Sequence, residues 1–550
     1  MTEYWYKRAV IYCVDVDSFQ DSDGDGTGDL RGLASRLDHI TRLGATCLWL
    51  NPVHPSPMRD DGYDITDHYG IHPRLGSLGD FAELLHRAQD RGIRVMIDLV
   101  VNHTSDQHPW FQSAVSDPDS PYRDWYVWSE QEPEDRRQGM VFPGEQTETW
   151  TWHEQAKAWY YHRFYDFEPD LNIANPAVRE EIKRIVGFWA QLGVAGFRMD
   201  AAPFVTELTV PGVPDPPKDL GFLTELREQL SWVRGDGVVL AEANVEPSAV
   251  PEYFGDAGGS ANRLHMMFDF HLNGPLMLGL ARGDAEPVAE ALRNTPDVPG
   301  PAQWATFLRN HDEADLSRLS ADQREEVFAA FGPKPEMQLY GRGIRRRLAP
   351  MLGGDQRRIR LAYSLLFALR GTPVLRYGEE IGMGDDLSLP GREAIRTPMQ
   401  WSAHRGAGFS SEPERGRAAH LITRGRYGYR KLNVTEQRRD PDSLLGFFEG
   451  LVRMLRECPE IGEGTSEVVD LVVPRQVLAH RADSAEGSVL FLHNLGEQPV
   501  ELDLGRLPGT GPDFGEVFGD QDYGDPKPSL RGVALGPYGY RWIRLGRTNG

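Results

Sequence analysis

The 550-residue chain is poor in cysteine, in long apolar runs and in positive charge, and each shortage closes off a class of protein. Its three cysteines, Cys13, Cys47 and Cys458, sit far apart in apolar segments, which excludes a disulfide scaffold or a cysteine metal cluster and predicts buried, reduced thiols. No run approaches the roughly 18 uninterrupted apolar residues of a membrane-spanning helix, and residues 1–10 are polar and charged without a signal-peptide core. A cytoplasmic protein with no membrane association is the expectation. A formal charge of −23 leaves no broad basic surface for DNA or RNA and suits a small neutral or cationic ligand. Fixed-period repeats and low-complexity tracts are absent as well. What remains is a globular chain, 40% apolar, long enough for one large domain and one or two smaller ones.

The first half alternates apolar runs with amphipathic stretches: AVIYCVDV, Leu33 to Leu43, ATCLWL, Phe81 to Arg91, RVMIDLVV. Strands and helices alternating at this spacing indicate parallel βαβ units. After an interruption, helix Pro176 to Leu192 leads into VAGFRMD, helix Leu223 to Trp232 leads into VVLAEA, and RLHMMFDF, WATFLRNHD and GTPVLRYGEE follow. Eight such strands with polar residues at their C-terminal ends predict an α/β fold, a (β/α)8 TIM barrel, with its site on that face. The interruption is too long for an ordinary loop and reads as an inserted subdomain over the site. Near the C-terminus, DLVVPRQVLAH, SVLFLHNL, PVELDL and YRWIRL, separated by Gly and Pro turns, predict an antiparallel β-sandwich domain. The expected division is therefore a barrel over 1–102 and 173–465, an inserted subdomain over 103–172, and a C-terminal β domain over 466–550.

The stretch GFRMDAA concentrates the chemistry. Residues i and i+2 of a strand face the same way, so Arg198 and Asp200 project together, and a guanidinium beside a carboxylate favours the ionised form that a nucleophilic Asp needs. A structural ion pair at a strand end is the alternative. Other strand ends add Asp98, Asn102 and His103 (DLVVNH), Glu242 (LAEAN), and His311 and Asp312 (RNHDE). Three carboxylates from neighbouring strand ends would converge on one cavity, as glycoside hydrolysis with retention requires of a nucleophile and an acid/base about 5–5.5 Å apart. Singly, each would more often be a helix cap or salt bridge.

DLVVNH, GFRMD, LAEAN and RNHDE, in this order and spacing, resemble the four signature regions of the α-amylase superfamily, glycoside hydrolase family 13, over nearly the whole chain. The resemblance implies that Asp200 is the nucleophile, Glu242 the general acid/base, and Asp312 a ligand of the 2- and 3-hydroxyls. Arg198 would orient Asp200, while His103 and His311 would donate hydrogen bonds to the glucosyl unit. Glu242 needs a raised pKa, which Asp200 and Asp312 would supply. RDDGYD places Asp60 three residues before Tyr63, and IRTPMQW supplies Arg396. In the exo-acting members that this resembles, such an Asp and Arg pair across the closed end of the pocket, and Tyr63 would stack on the sugar. Asp60, Asp61 and Asp64 could instead be turn formers.

DSDGDGTGD, Asp21 to Asp29, alternates carboxylates with glycines in a way that lets a tight loop wrap a hard cation, although no EF-hand Glu stands at the twelfth position, which is Gly32. A solvated acidic turn is the alternative. The resemblance implies structural Ca2+ here, with ligands Asp21, Asp23, Asp25, Asp29 and the Thr27 carbonyl, and a second site formed by Asn102, Asp170 and Glu207. No organic cofactor is implied. Long stretches, among them LVVNHTSDQHPWF, GIRRRLAPML and IRTPMQWS, are most similar to the trehalose synthase group of that family. YCVDVDSF, LNPVHPSP and Arg376 in VLRYGEE depart from that group and bear on acceptor and product specificity. The expected activity is isomerisation of maltose to trehalose with some hydrolysis to glucose. A hydrolytic α-glucosidase and an inactive sugar-binding relative are the other readings, and homo-oligomerisation stays open.

Overall fold

The structure is a computed structural model that describes residues 4–547 apart from 212, 214–215, 256–259, 470–472, 506, 508–509 and 525–529. Eight short strands, Ile11–Val14, Cys47–Leu50, Arg94–Leu99, Gly196–Met199, Val238–Ala241, Met266–Phe268, Gln303–Thr306 and Thr372–Arg376, close a parallel barrel. They are neighbours in chain order, and the eighth pairs back to the first. Both faces of such strands are covered, which explains why they read as nearly continuous apolar runs.

Alternation along each strand sorts side chains into the barrel interior and the helical layer. Ile11, Cys13, Cys47, Trp49, Met96, Val238, Leu240, Met266, Phe268, Ala305, Phe307 and Val374 form the interior cluster, whereas Tyr12, Leu48, Ile97, Phe197 and Val239 join the outer core. Continuing the interior parity toward the C-terminal ends reaches Asp15, Asn51, Asp98, Arg198, Asp200, Glu242, Arg309, His311 and Arg376. The barrel pleat thus aims these polar side chains at one mouth.

The helices begin and end where local chemistry dictates. Pro176–Leu192 is capped by the Asn175 side chain, with proline in its first turn. Leu78–Gln89 starts on a Ser77/Asp80 capping box. The single helix expected around residues 33–43 is two, Leu30–Ser35 and Leu37–Leu43, broken at Arg36 where φ −104° and ψ 3° leave the helical region.

Between the third and fourth strands the chain forms a three-stranded antiparallel sheet of Trp128–Ser129, Trp150–His153 and Ala158–Tyr161. The ends of this excursion return together: Leu171 N donates to Asn102 O at 2.8 Å, and His103 bridges to Asp170. At the C-terminus, a five-stranded antiparallel sheet begins at Thr465–Val468 and faces a two-stranded sheet of Val500–Asp503 and Arg531–Leu535. Leu490, Leu492, Leu502, Val533 and Ile543 fill the space between them, giving the sandwich. Part of the DLVVPRQVLAH run, residues 470–472, lies outside the described residues, and the strand there is Val477–Asp483. The sandwich docks on helix Gln356–Ala368, where Trp542 Nε1 donates to Ser364 Oγ at 3.0 Å. All three cysteines are free and buried. Among the described residues, no helix is long and apolar enough to cross a membrane.

Candidate active site

Arg198 stands at the end of the fourth strand and is 1% exposed. Its Nη1 donates to Asp200 Oδ1 at 2.6 Å and to Asp98 Oδ1 at 3.0 Å, and its Nη2 donates to Glu242 Oε2 at 2.7 Å. One guanidinium fork thus holds the two expected catalytic carboxyls side by side. Asp312 receives Arg392 Nη1 at 2.9 Å and Arg396 Nη2 at 3.1 Å, and its Oδ2 lies 3.2 Å from His311 Nε2. Above them opens a cavity of about 460 Å³ whose walls include Asp60, Tyr63, His103, Asp200, Glu242 and Asp312.

The carboxyls occupy different electrostatic settings. Glu242 is pushed up to about 7, first by burial and then by Asp200 and Asp312, against the pull of Arg198. The neighbouring carboxylates were expected to raise it; desolvation contributes more. Burial alone would also raise Asp312, but Arg392, His311, Arg396 and Arg198 hold it well below the usual carboxylate range. A carboxyl poised to keep its proton thus sits beside one held as an anion. Asp98, buried beneath Arg198, is pushed up to about 7 by desolvation.

Residues 12–331 and 345–464 match the model of the alpha amylase catalytic domain. The chain belongs to the α-amylase family. It is 41% identical to a trehalose synthase of Thermus thermophilus over 99% of its own length, and it spans only 56% of that relative. It is 39% identical to a trehalose synthase/amylase of Mycolicibacterium smegmatis, covering 98% of this chain and 92% of that one. Among solved structures, an α-amylase from H. orenii superposes with a TM-score of 0.78 at 28% identity, covering 98% of this chain and 99% of that one.

The closed end of this family site differs from expectation. Asp60 does not form the pair with Arg396: among the described residues, Arg396 binds Asp61 through Nη1, Asp312 through Nη2 and the His311 carbonyl through Nε. Positive φ at Met58, Asp61 and Gly62, 62°, 48° and 99°, turns Asp61 away from the cavity toward Arg396 and Arg417. Asp60 is left on the cavity wall, pushed up to about 7 by burial, with Arg392 the foremost opposing charge. Asp64 folds the loop itself, accepting Ser56 Oγ at 2.7 Å and the backbone N–H groups of Arg59 and Asp60 at 3.2 Å. His311 is buried behind Asp312, its Nε2 at 2.8 Å from the Tyr63 hydroxyl, so it reaches the cavity through these partners. The Tyr63 ring stacks on the His311 ring, with centroids 5.9 Å apart.

Four further residues bear on the site, and of these the sequence reading had named only Arg376. Arg392 was detectable as the first arginine of GREAIRTPMQW. Glu168, in FEPDLN, is fully buried with its Oε1 3.8 Å from His103 Nε2, and neither atom has a hydrogen-bond partner among the described residues. Burial raises the Glu168 carboxyl well above its ordinary value and lowers His103. The other two are the departures in YCVDVDSF and VLRYGEE, which prove to be one feature: Arg376 Nη2 binds Asp15 Oδ2 at 2.5 Å, and Arg376 Nη1 holds the Asn310 carbonyl at 3.2 Å.

The loop Asp21 to Asp29 suits a hard cation. Carboxylate oxygens of Asp21, Asp23 and Asp29 all lie within 4.8 Å of one another, and Asp25 stands outside that group. Gly24 and Gly26, with φ of 85° and 92°, turn their N–H groups onto Asp21 at 2.7 and 3.0 Å. Asp29 also caps helix Leu30–Ser35 through Gly32 N. In the second set, Asp170 is pushed up to about 7 chiefly by burial and accepts Arg163 N, while Glu207 pairs with the Arg163 guanidinium. A cation there would share Glu207 with Arg163. If Ca2+ binds the first loop, its removal by chelation should lower the apparent Tm by several degrees, because a ligand held only by the folded state stabilises it by about 2.7 kcal/mol at a hundredfold excess over Kd. Thermal melts with and without chelator check this; identical melts would refute a structural ion.

Proposed function

We propose that the protein transfers α-glucosyl units with retention, isomerising maltose to trehalose, with hydrolysis to glucose as the lesser outcome. The observation that carries this reading is the single Arg198 fork holding Asp200 and Glu242 under one cavity. Its volume falls within the roughly 300–1,000 Å³ of small-molecule sites. Asp200 attacks the anomeric carbon of the terminal glucosyl unit while Glu242 gives its proton to the departing glycosidic oxygen, leaving a glucosyl ester on Asp200 and free glucose in the cavity. The glucose then turns. Its anomeric hydroxyl attacks the same carbon, Glu242 takes the proton, the ester bond breaks, and trehalose results. Water attacking first yields a second glucose.

The trehalose synthase relatives support a sugar acceptor over water. The complete set of Asp200, Glu242 and Asp312 weighs against an inactive sugar-binding relative, which would not need an acid/base pair. We also infer structural Ca2+ in the loop Asp21 to Asp29 and a cytoplasmic setting, the latter supported by three free, buried thiols. Incubation with maltose, with the disaccharides resolved by chromatography, should give trehalose as the main product at early times. Glucose alone at every time point would leave an exo-acting α-glucosidase.

A further inference from the structure

Residues 332–344 fall between the two stretches matched by the family model, and there the chain builds a small hairpin beside the cavity. Gln338–Leu339 and Gly343–Ile344 pair antiparallel, and Arg342 N donates to Leu339 O across a two-residue turn. Its central residues, Tyr340 and Gly341, both have positive φ, 54° and 65°. A turn of this kind favours Asn, Asp or Gly, and a bulky aromatic is held there in a costly backbone conformation. Strain of this sort persists where surrounding structure over-determines it, and it clusters at clamps and switch regions.

The ring of Tyr340 meets Phe142 of the inserted subdomain with centroids 5.0 Å apart, and Phe142 stacks at 5.0 Å on Tyr165 of the same subdomain. Arg392 lies 5.3 Å from the Phe142 centroid and 5.7 Å from that of Tyr340, while its guanidinium binds Asp312 and Glu313, each at 2.9 Å. Phe142 and Arg392 are part of the cavity wall, and Tyr340 braces them from outside it. Roof and sugar site are therefore one packed unit, joined by a cation that touches both.

We propose that Tyr340 is a positioning residue that clamps the inserted subdomain to the barrel through Phe142 and Arg392, so that released glucose stays in the cavity until it attacks the glucosyl ester. This deepens the isomerase reading and rests on it. Removing the ring frees Phe142 on one side, lets the roof part, and opens the cavity to water and to glucose from solution.

The test supplies maltose together with excess 13C-labelled glucose to the wild type, Tyr340→Ala and Tyr340→Phe. Label entering maltose and trehalose, and the share of free glucose, are read by mass spectrometry. The wild type should incorporate little label. Tyr340→Ala should incorporate about tenfold more and release a larger share of glucose, while cleaving 4-nitrophenyl α-glucoside within about twofold of the wild-type rate. Tyr340→Phe keeps the ring and should stay close to wild type. Equal label entry in wild type and Tyr340→Ala overturns the proposal whether or not the melting temperature moves. If the wild type makes no trehalose, the isomerase reading falls separately, and the clamp is still judged by label entering maltose.

Discussion

Asp200→Ala should lower kcat on maltose by about four orders of magnitude or more while leaving the fold intact, since nucleophile removal disables both steps of a double displacement. Arg198 would keep Asp98 and Glu242 as partners, so no buried cation is stranded and the melting temperature should hold. Glu242→Gln should be nearly as severe on maltose but much milder on 4-nitrophenyl α-glucoside, whose leaving group departs without protonation. Because burial and its carboxylate neighbours push Glu242 up to about 7, the acid form needed for the first step is full below that pH and is lost above it. Wild-type kcat/KM on maltose should therefore fall about tenfold per unit on the alkaline side of pH 7. With 4-nitrophenyl α-glucoside that limb should flatten. Substantial maltose activity in Asp200→Ala would remove the assignment.

Arg376→Met should cost about 3–5 kcal/mol of stability, because it leaves the Asp15 carboxylate buried against an apolar side chain. Arg376 is 1% exposed and the Asp15 side chain 11%, so water gives little relief. Activity should fall too, since Arg376 also holds the Asn310 carbonyl beside His311 and Asp312. The double variant Asp15→Asn/Arg376→Gln, which removes both charges and keeps polar groups of similar size, should recover much of the loss. Thermal inactivation rates and apparent Tm read the difference; a single variant as stable as wild type would show that the pair carries little.

Much of this site was legible before any coordinates. Arg198 and Asp200 follow from strand parity alone, since two residues along a strand share a face, and Glu242 continues the parity of Val238 and Leu240. The Asp21 to Asp29 carboxylates fold onto backbone N–H groups two to five residues away, a short-range pattern that a sequence can carry. Local periodicity and short-range hydrogen bonding are properties of the sequence, and they settled the barrel, its mouth and its carboxylates. Which charges meet above that mouth is different. Asp60 and Asp61 are adjacent and chemically identical, and the left-handed turn at Asp61 decided which of them Arg396 binds. Asp15 and Arg376, 361 residues apart, became partners only because the eighth strand closes on the first. Tyr340 reaches Phe142 across two excursions whose lengths and composition say nothing of each other. Such long-range pairings depend on where closure brings chain ends in space, and no period in the sequence encodes that.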